Sequence, residues 1–237
     1  MNDTVVDAFR NAVRRDPATP LLTWYDDASG DRAELSGATL DNWVAKTANL
    51  LVDGVGLDPG DAVAAVLPPH WQTAVVLLAT WSAGLTWADD PQPVGALITT
   101  PEAVGDAAAW PTPDRYATGL LPLAMPLRTV PPGYTDFVTE VRTHGDHFRP
   151  IQPVRPDHRA TPTRTHADLR DLAVRRAQAL GVTAGDRLLI STDAHPDPVD
   201  WLLAPLVTGA STVLCAHLDP TRLAARTTAE KVTVTVT

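Results

Sequence analysis

The chain has 237 residues, of which 44% are hydrophobic and 20% are charged, a composition typical of a globular protein with a substantial core. Its net charge of −9 disfavours nucleic acid and anionic membrane surfaces as partners, since both are negatively charged. A single cysteine excludes an internal disulfide. Because the sequence also has no signal peptide and no apolar run long enough to span a membrane, it predicts a cytoplasmic protein.

The first part of the sequence predicts a helix, a β-hairpin and a second helix. Residues 4–15 carry apolar side chains at helical spacing, and Asp3 is the expected N-cap. Residues 21–37 contain two short β-prone runs joined by the turn ASGD, which is typical of a hairpin. Thr39 is expected to cap the helix that follows, over residues 40–54.

The clearest feature of the sequence is an internal repeat, formed by residues 56–91 and 181–220. Each copy contains a Gly-Asp turn, an apolar strand, a proline-bearing loop, a helix that ends at glycine, a second strand and Asp-Pro. The turn glycine and the helix-ending glycine are 24 positions apart in both copies, as Gly60 and Gly84 and as Gly185 and Gly209. Equal spacing between the same turn and helix-ending residues indicates two related structural units.

The strands of the repeat are short, continuous apolar runs such as AVAAVL and RLLIS. Such runs are typical of parallel strands that are covered by helices on both faces. Parallel neighbours also require crossover helices, which the sequence supplies. We therefore predict an α/β fold, a three-layer α/β/α arrangement with a largely parallel sheet. This sheet would be built from two related halves, at about 40–91 and 166–220, within a single domain over 1–237.

A less regular segment joins the two halves. Residues 94–100 and 114–121 are expected to be strands, and residues 134–144 a helix. Residues 111–165 are rich in proline and form the predicted joining segment. After the second half, residues 219–237 predict a helix followed by a strand in which valine alternates with threonine.

The repeat and its flanking segments resemble the N-terminal region of adenylate-forming enzymes, which include acyl-CoA synthetases, luciferases and adenylation domains of peptide synthetases. The resemblance rests on LLVDGVGLDPGDAVAAVLPPHW in the first copy and on THADL, GDRLLI, AHPDP, TGASTVLC and DPTRLAARTTAEKVTVTV in the second. These segments occur in the family's order and span nearly the whole chain. The sequence is also similar to a group of short, uncharacterised bacterial proteins with distant similarity to AMP-binding enzymes.

The sequence departs from this family at the phosphate-binding loop. The family places a loop of the kind TSGTTGxPKG just before TH-x-x-L, whereas residues 155–164 read RPDHRATPTR, without glycine or lysine. A loop without glycine is less able to wrap its backbone N–H groups around a phosphate. The family's adenine-binding, ribose-binding and magnesium-binding motifs and its C-terminal lid are also missing from the sequence.

These departures predict a truncated pseudoenzyme with no catalytic residues, no cofactor and no metal. The leading hypothesis is a binding or assembly protein. Truncation would leave an exposed strand edge, so a homodimer or another protein partner is expected. A third hypothesis is a half-enzyme that is completed by a separate chain.

The rival hypothesis is a repurposed crevice that binds a small molecule, either an acyl compound or a nucleotide, or that acts as an enzyme. In open parallel sheets, ligands bind beyond the carboxyl ends of the strands. His195 and Asp193 lie in a loop that leaves a predicted strand, and Arg159, Arg164 and Thr165 lie in the glycine-free loop. These five residues are the candidate ligand-binding residues. The alternative is that both loops are simply solvated.

Two further patterns in the sequence are compatible with ordinary structural roles. His144, Asp146 and His147 are of types that bind zinc, but their spacing matches no metal-binding motif. None of the serines lies in a G-x-S-x-G sequence, which makes a serine hydrolase a weak hypothesis.

Overall fold

The computed structural model describes residues 3–237, which form two compact units. The first unit contains the chain up to Leu40, Pro69–Ala74 and Ala167–Thr237, and the second contains Asp41–Pro68 and Val75–His166. Each unit has its own five-stranded sheet. None of the helices within residues 3–237 has both the length and the apolar character needed to cross a membrane.

The described chain contains helices and strands in largely the order that the sequence predicts, but residues 134–144, predicted as one helix, begin with a two-residue strand. The helices are α1 (Val5–Arg15), α2 (Gly37–Asn49), α3 (Trp71–Ser82), α4 (Val104–Ala107), α5 (Phe137–Val141), α6 (His166–Leu180), α7 (Ala204–Thr208) and α8 (Leu223–Ala229). The strands are β1 (Pro20–Asp26), β2 (Arg32–Ser36), β3 (Ala62–Val66), β4 (Thr86–Ala88), β5 (Ala96–Thr99), β6 (Asp114–Ala117), β7 (Thr135–Asp136), β8 (Arg187–Ser191), β9 (Ser211–Ala216) and β10 (Val234–Val236). Single π-helical turns, Leu50–Gly54 and Val199–Leu203, follow α2 and precede α7.

The N-terminal caps of the first two helices differ from the sequence expectation. Thr4, rather than Asp3, caps α1, because its hydroxyl accepts a bond from the Asp7 N–H while the Asp7 carboxylate accepts one from the Thr4 N–H. This reciprocal pair is a capping box. Helix α2 begins before Thr39, and the hydroxyl of Ser36 accepts a hydrogen bond from the Thr39 N–H.

The sheet of the first unit has the order β10-β8-β9-β1-β2. Strands β10, β8, β9 and β1 are parallel to their neighbours, and only the hairpin partner β2 is antiparallel. Fully buried side chains on β8 and β9 form its core, and half-buried residues of β1 and α8 pack against them. The predicted C-terminal strand therefore forms, and it pairs with β8 at one edge of this sheet.

The sheet of the second unit has the order β4-β3-β5-β6-β7 and is parallel throughout. Small buried residues on β3 and β4 pack with Leu97 of β5 and with Ala107 and Trp110 around α4. The parallel α/β architecture is thus confirmed, although the strands are divided between two sheets. Each copy of the repeat supplies one parallel pair, β3 with β4 and β8 with β9, and the two pairs lie in different sheets.

The two copies of the repeat pair their own strands in the same register. Ala62 of β3 lies opposite Thr86 of β4, and Arg187 of β8 lies opposite Ser211 of β9, an offset of 24 residues in both cases. Gly209 ends α7 in the left-handed conformation, with φ of 78°. Residues with a Cβ atom adopt this conformation at a cost, which explains the glycine at this position.

Candidate functional site

The glycine-free loop before α6 folds back on itself. Arg159 and Thr165 form an antiparallel bridge across it. The backbone N–H groups of Ala160 and Thr161 both donate to the Arg164 carbonyl, at 2.9 and 3.1 Å. The Arg164 N–H donates back to the Thr161 carbonyl and hydroxyl, at 3.3 and 3.1 Å. The loop is therefore a closed turn stabilised by its own backbone.

Further hydrogen bonds anchor this turn within the second unit. Ala160 is fully buried, and its carbonyl accepts bonds from the Trp81 indole N–H and from the Trp87 backbone N–H, both at 3.0 Å. The His166 N–H, at the start of α6, donates to the His158 carbonyl at 2.9 Å. A phosphate-binding loop needs backbone N–H groups that point at the anion. Here the amides of residues 160, 161, 164 and 166 are occupied by carbonyls of the chain itself.

The side chains of Arg159 and Arg164 are exposed, so their charge is available at the surface of the second unit. Thr165, which pairs with Arg159 across the turn, is half-buried. The structure therefore brings these three candidate residues together on one turn. They supply positive charge without an open backbone cradle.

His195 lies in the first unit, in the loop that follows β8. Its N–H donates to the Ser191 carbonyl at 3.0 Å, and its Nδ1 lies 3.2 Å from Oδ2 of Asp200. Asp200 is buried in the π-helical turn that precedes α7. The ring of His195 is thus held by a buried carboxylate, and its side chain remains 23% exposed.

Asp200 also accepts two hydrogen bonds from Arg176 of α6, at 2.6 Å from Nε and 2.7 Å from Nη2. Burial raises the pKa of the Asp200 carboxyl, but the hydrogen bonds from Arg176 and His195 outweigh it and keep the pKa below its usual value. Because Arg176 already compensates the charge of Asp200, this carboxylate is a weaker partner for a histidine than an isolated one would be.

Asp193 is exposed in the same loop as His195. The structure therefore places the five candidate residues in two groups, Asp193 and His195 in the first unit and the three residues of the turn in the second. Asp200 and Arg176 are not among the residues predicted from the sequence. The available signal was a lone aspartate inside the apolar run VDWLLAP, since a buried carboxylate requires a partner.

The histidine-rich segment at residues 143–147 is fixed by hydrogen bonds to its backbone. The Lys46 ammonium donates to the His144 carbonyl at 2.7 Å, and the Asn49 amide donates to the carbonyls of Gly145 and His147. Within residues 3–237, no three histidine, cysteine, aspartate or glutamate side chains are grouped so that they could hold a metal ion. These contacts indicate a structural role for the segment.

A buried histidine lies in the first unit, just before α3. His70 is 1% exposed, and its ring packs edge-on against Trp24 with centroids 4.4 Å apart. Its Nδ1 accepts a hydrogen bond from the Gln72 N–H at 3.1 Å, which places the ring proton on Nε2. Burial lowers the pKa of His70 to about 3, so the ring is neutral at physiological pH.

An ionic network links β1, β2, β8 and the end of α8 in the first unit. The Glu230 carboxylate accepts hydrogen bonds from the Tyr25 hydroxyl at 2.5 Å, Arg187 at 2.5 Å and Arg32 at 2.9 Å. Nearby, Arg226 forms a bidentate pair with Asp27. This network positions α8 and contains none of the candidate site residues.

The fold is that of adenylate-forming enzymes. The chain superimposes on an acyl-CoA synthetase from Brucella canis with a TM-score of 0.73 and 18% identity, over 96% of this chain and 46% of that one. It superimposes on the anthranilate CoA ligase AuaEII, in complex with anthranoyl-AMP, with a TM-score of 0.69 and 15% identity, over 96% and 47% of the two chains. For MatB from Rhodopseudomonas palustris the TM-score is 0.68 and the identity 18%, over 99% and 49%. The chain therefore spans about half the length of these enzymes.

At the level of sequence, the chain is 41% identical over 232 residues to a TIGR03089 family protein of Mycobacterium tuberculosis (strain ATCC 25618 / H37Rv), with 93% of each chain covered. The chain belongs to the TIGR03089 family. No protein-family model matches it. The resemblance to adenylate-forming enzymes and to short uncharacterised bacterial proteins is confirmed.

Proposed function

We propose that this protein is a pseudoenzyme, a non-adenylating relative of the adenylate-forming enzymes that works by binding rather than by catalysis. The observation that carries the proposal is the closed turn over residues 159–165. Its amides donate to carbonyls of the same turn, and the buried Ala160 carbonyl is held by Trp81 and Trp87.

Opening this turn for a phosphate would break the hydrogen bonds between Arg164 and residues 160 and 161 and would expose Ala160. Each backbone bond contributes about 1 kcal/mol, and a buried group left without a partner costs about 1–3 kcal/mol. In enzymes that stabilise a transferring group electrostatically, loss of a single donor already lowers the rate by about 10²–10³. A protein in which several backbone N–H donors of this loop are already bonded to its own carbonyls is therefore a poor catalyst of adenylation.

The proposed mode of action is assembly with a protein partner, either a second copy of the chain or another protein. Strand β10 supports this proposal because it lies at an edge of the first unit's sheet. Its outer backbone groups offer a template for pairing with another strand. Size-exclusion chromatography with light scattering tests for self-association, and a purely monomeric protein would leave only a different protein as the partner.

The test of the non-adenylating proposal is ATP–pyrophosphate exchange in the presence of magnesium and a panel of fatty and aromatic acids. The proposal predicts exchange no faster than in the absence of protein. A matched control is the Arg164→Ala variant, which removes exposed charge and keeps the backbone bonds of the turn. Exchange by the wild-type chain above the protein-free background would contradict the proposal, and its loss in the variant would identify Arg164 as a phosphate ligand.

A second candidate function is small-molecule binding beside His195, favoured by the contact that holds its ring on Asp200. Thermal denaturation with AMP, CoA and acyl compounds tests it. A stabilisation of several degrees that His195→Ala abolishes would support the site. His217→Ala is the matched control, since His217 is a more exposed histidine of the same unit whose partner is Asp26.

A further inference from the structure

A cavity of about 450 Å³ lies within the second unit, beyond the carboxyl ends of β3 and β4. Its walls include two tryptophans, two aspartates and several small apolar residues. The residues that decide its chemistry are Trp87, Ala88, Asp89, Ala103, Asp106 and Trp110. Its volume is in the range of sites that bind small molecules, about 300–1,000 Å³.

The position of the cavity follows from the parallel sheet. Strand β4 ends at Ala88 and is followed directly by Asp89. Strand β5 is followed by a short 3₁₀ turn that ends at Ala103 and leads into α4, which carries Asp106. Since parallel strands present their carboxyl ends at one edge, these segments meet around a common crevice, where α/β folds bind their ligands.

Small side chains, among them Ala65, Ala88 and Ala103, form part of the cavity wall. Ala88 is 2% exposed and belongs to the core under the cavity, where it packs with Trp110. Ala103 lines the cavity, and we therefore expect a longer side chain at this position to occupy part of its volume. Trp87 is half-buried and Trp110 is 6% exposed, so the aromatic surface offered to an apolar ligand comes mainly from Trp87.

The charges of the cavity are all of one sign. Among the described residues that line it, Asp89 and Asp106 are acidic, and none is arginine, lysine or histidine. Both aspartates are exposed, so their carboxylates face water. Such a lining repels phosphates and carboxylates, the groups carried by nucleotides and acyl substrates, and attracts cations. The nearby tryptophans add a preference for organic cations, which are drawn to aromatic faces.

We infer that this cavity binds a small organic cation, a primary or quaternary ammonium attached to an aromatic or aliphatic body. The ammonium pairs with Asp89 and Asp106, and the body packs against Trp87 and Trp110. All of the residues that line this site belong to the second unit, whereas His195 belongs to the first. The inference does not depend on whether the protein adenylates, because the cavity and the closed turn are tested by different ligands.

Isothermal titration with three indoles of nearly equal shape tests this inference: tryptamine, which is cationic, tryptophol, which is neutral, and indole-3-acetate, which is anionic. We expect affinity to fall in that order, with indole-3-acetate weakest. Affinity for tryptamine should also fall as salt is raised from about 0.02 to 0.5 M, since exposed charges are screened. Equal affinity for the three indoles, or no saturable binding of tryptamine up to about 10 mM, would overturn the inference.

Variants then locate the site. Asp89→Asn and Asp106→Asn should each weaken tryptamine binding by about two- to fivefold, the size expected for an exposed ion pair. Asp90→Asn is the matched control, because it removes the same charge from the adjacent residue, which does not line the cavity. Ala103→Leu should block binding by filling the cavity, with circular dichroism confirming the fold. If Asp90→Asn weakened binding as much as Asp89→Asn, the assignment of the site would be wrong.

Discussion

Glu230 offers the sharpest test of what stabilises the first unit. Its side chain is 8% exposed and accepts hydrogen bonds from Tyr25, Arg32 and Arg187. Burial alone would raise the pKa of this carboxyl, but the hydrogen bonds from Tyr25 and Arg187 outweigh burial and lower it from 4.5 to about 2. The substitution Glu230→Gln keeps the shape of the side chain and removes its charge.

The expected loss of stability follows from the pKa. A fall of about 2.5 pH units corresponds to about 3.4 kcal/mol, at about 1.4 kcal/mol per unit. Solvent screens part of this interaction, because Arg32 is 42% exposed, and we therefore expect about 2 kcal/mol. The carboxyl's pKa is depressed in the folded protein, so its contribution is complete above pH 4.5 and is lost as the pH falls through the folded value.

Urea unfolding of the wild type and of Glu230→Gln at pH 7 and pH 3 measures this contribution. The difference in unfolding free energy should be about 2 kcal/mol at pH 7 and should shrink by more than half at pH 3. Glu34→Gln is the matched control, since Glu34 pairs with the same Arg32 but is 35% exposed, and it should cost less than about 0.5 kcal/mol. Equal effects of the two substitutions, or a difference that does not change with pH, would refute the reasoning.

Two other predictions concern glycine and histidine residues of the first unit. Gly209→Ala should destabilise the protein by about 1–2 kcal/mol, because its φ is positive and the new Cβ atom would meet the Arg15 guanidinium, which donates to the Gly209 carbonyl. Gly181→Ala, at a positive φ in open space, should cost only about 1 kcal/mol, and thermal denaturation of both variants checks the order. His217 should titrate above 6.5 by NMR, since its hydrogen bond to Asp26 raises the pKa of the ring, and Asp26→Asn should abolish the shift. The stabilisation from this pair is present below pH 6.5 and is lost as the pH rises through the folded pKa of His217.

The sequence contained enough information for the α/β class and for most of the strands. The repeated glycines and continuous apolar runs predict parallel strand–helix–strand units, and β3 with β4 and β8 with β9 form as such pairs. The prediction succeeds because the burial of a strand and the end of a helix depend on side chains that are close together in the sequence. The division of the strands between two sheets could not be predicted, since pairing partners are chosen by contacts between residues far apart in the chain.

The candidate site could also be predicted only in part, because its contacts join residues that are far apart in the chain. The absence of glycine from residues 155–164 predicts an altered loop, but the bonds that close it depend on where its carbonyls lie. The anchoring of Ala160 by Trp81, 79 residues earlier in the chain, leaves no local signal. His195 was identified from its position after a strand, whereas its partner Asp200 is recognised only when the helical turn brings the two side chains together.

The most direct test of the non-adenylating proposal is calorimetric titration of the purified protein with magnesium ATP. If the amides of residues 160, 161, 164 and 166 remain bonded to carbonyls of the chain, the titration will show no saturable heat up to millimolar nucleotide. Micromolar affinity that depends on magnesium would mean that the turn opens around the triphosphate, and it would contradict the account.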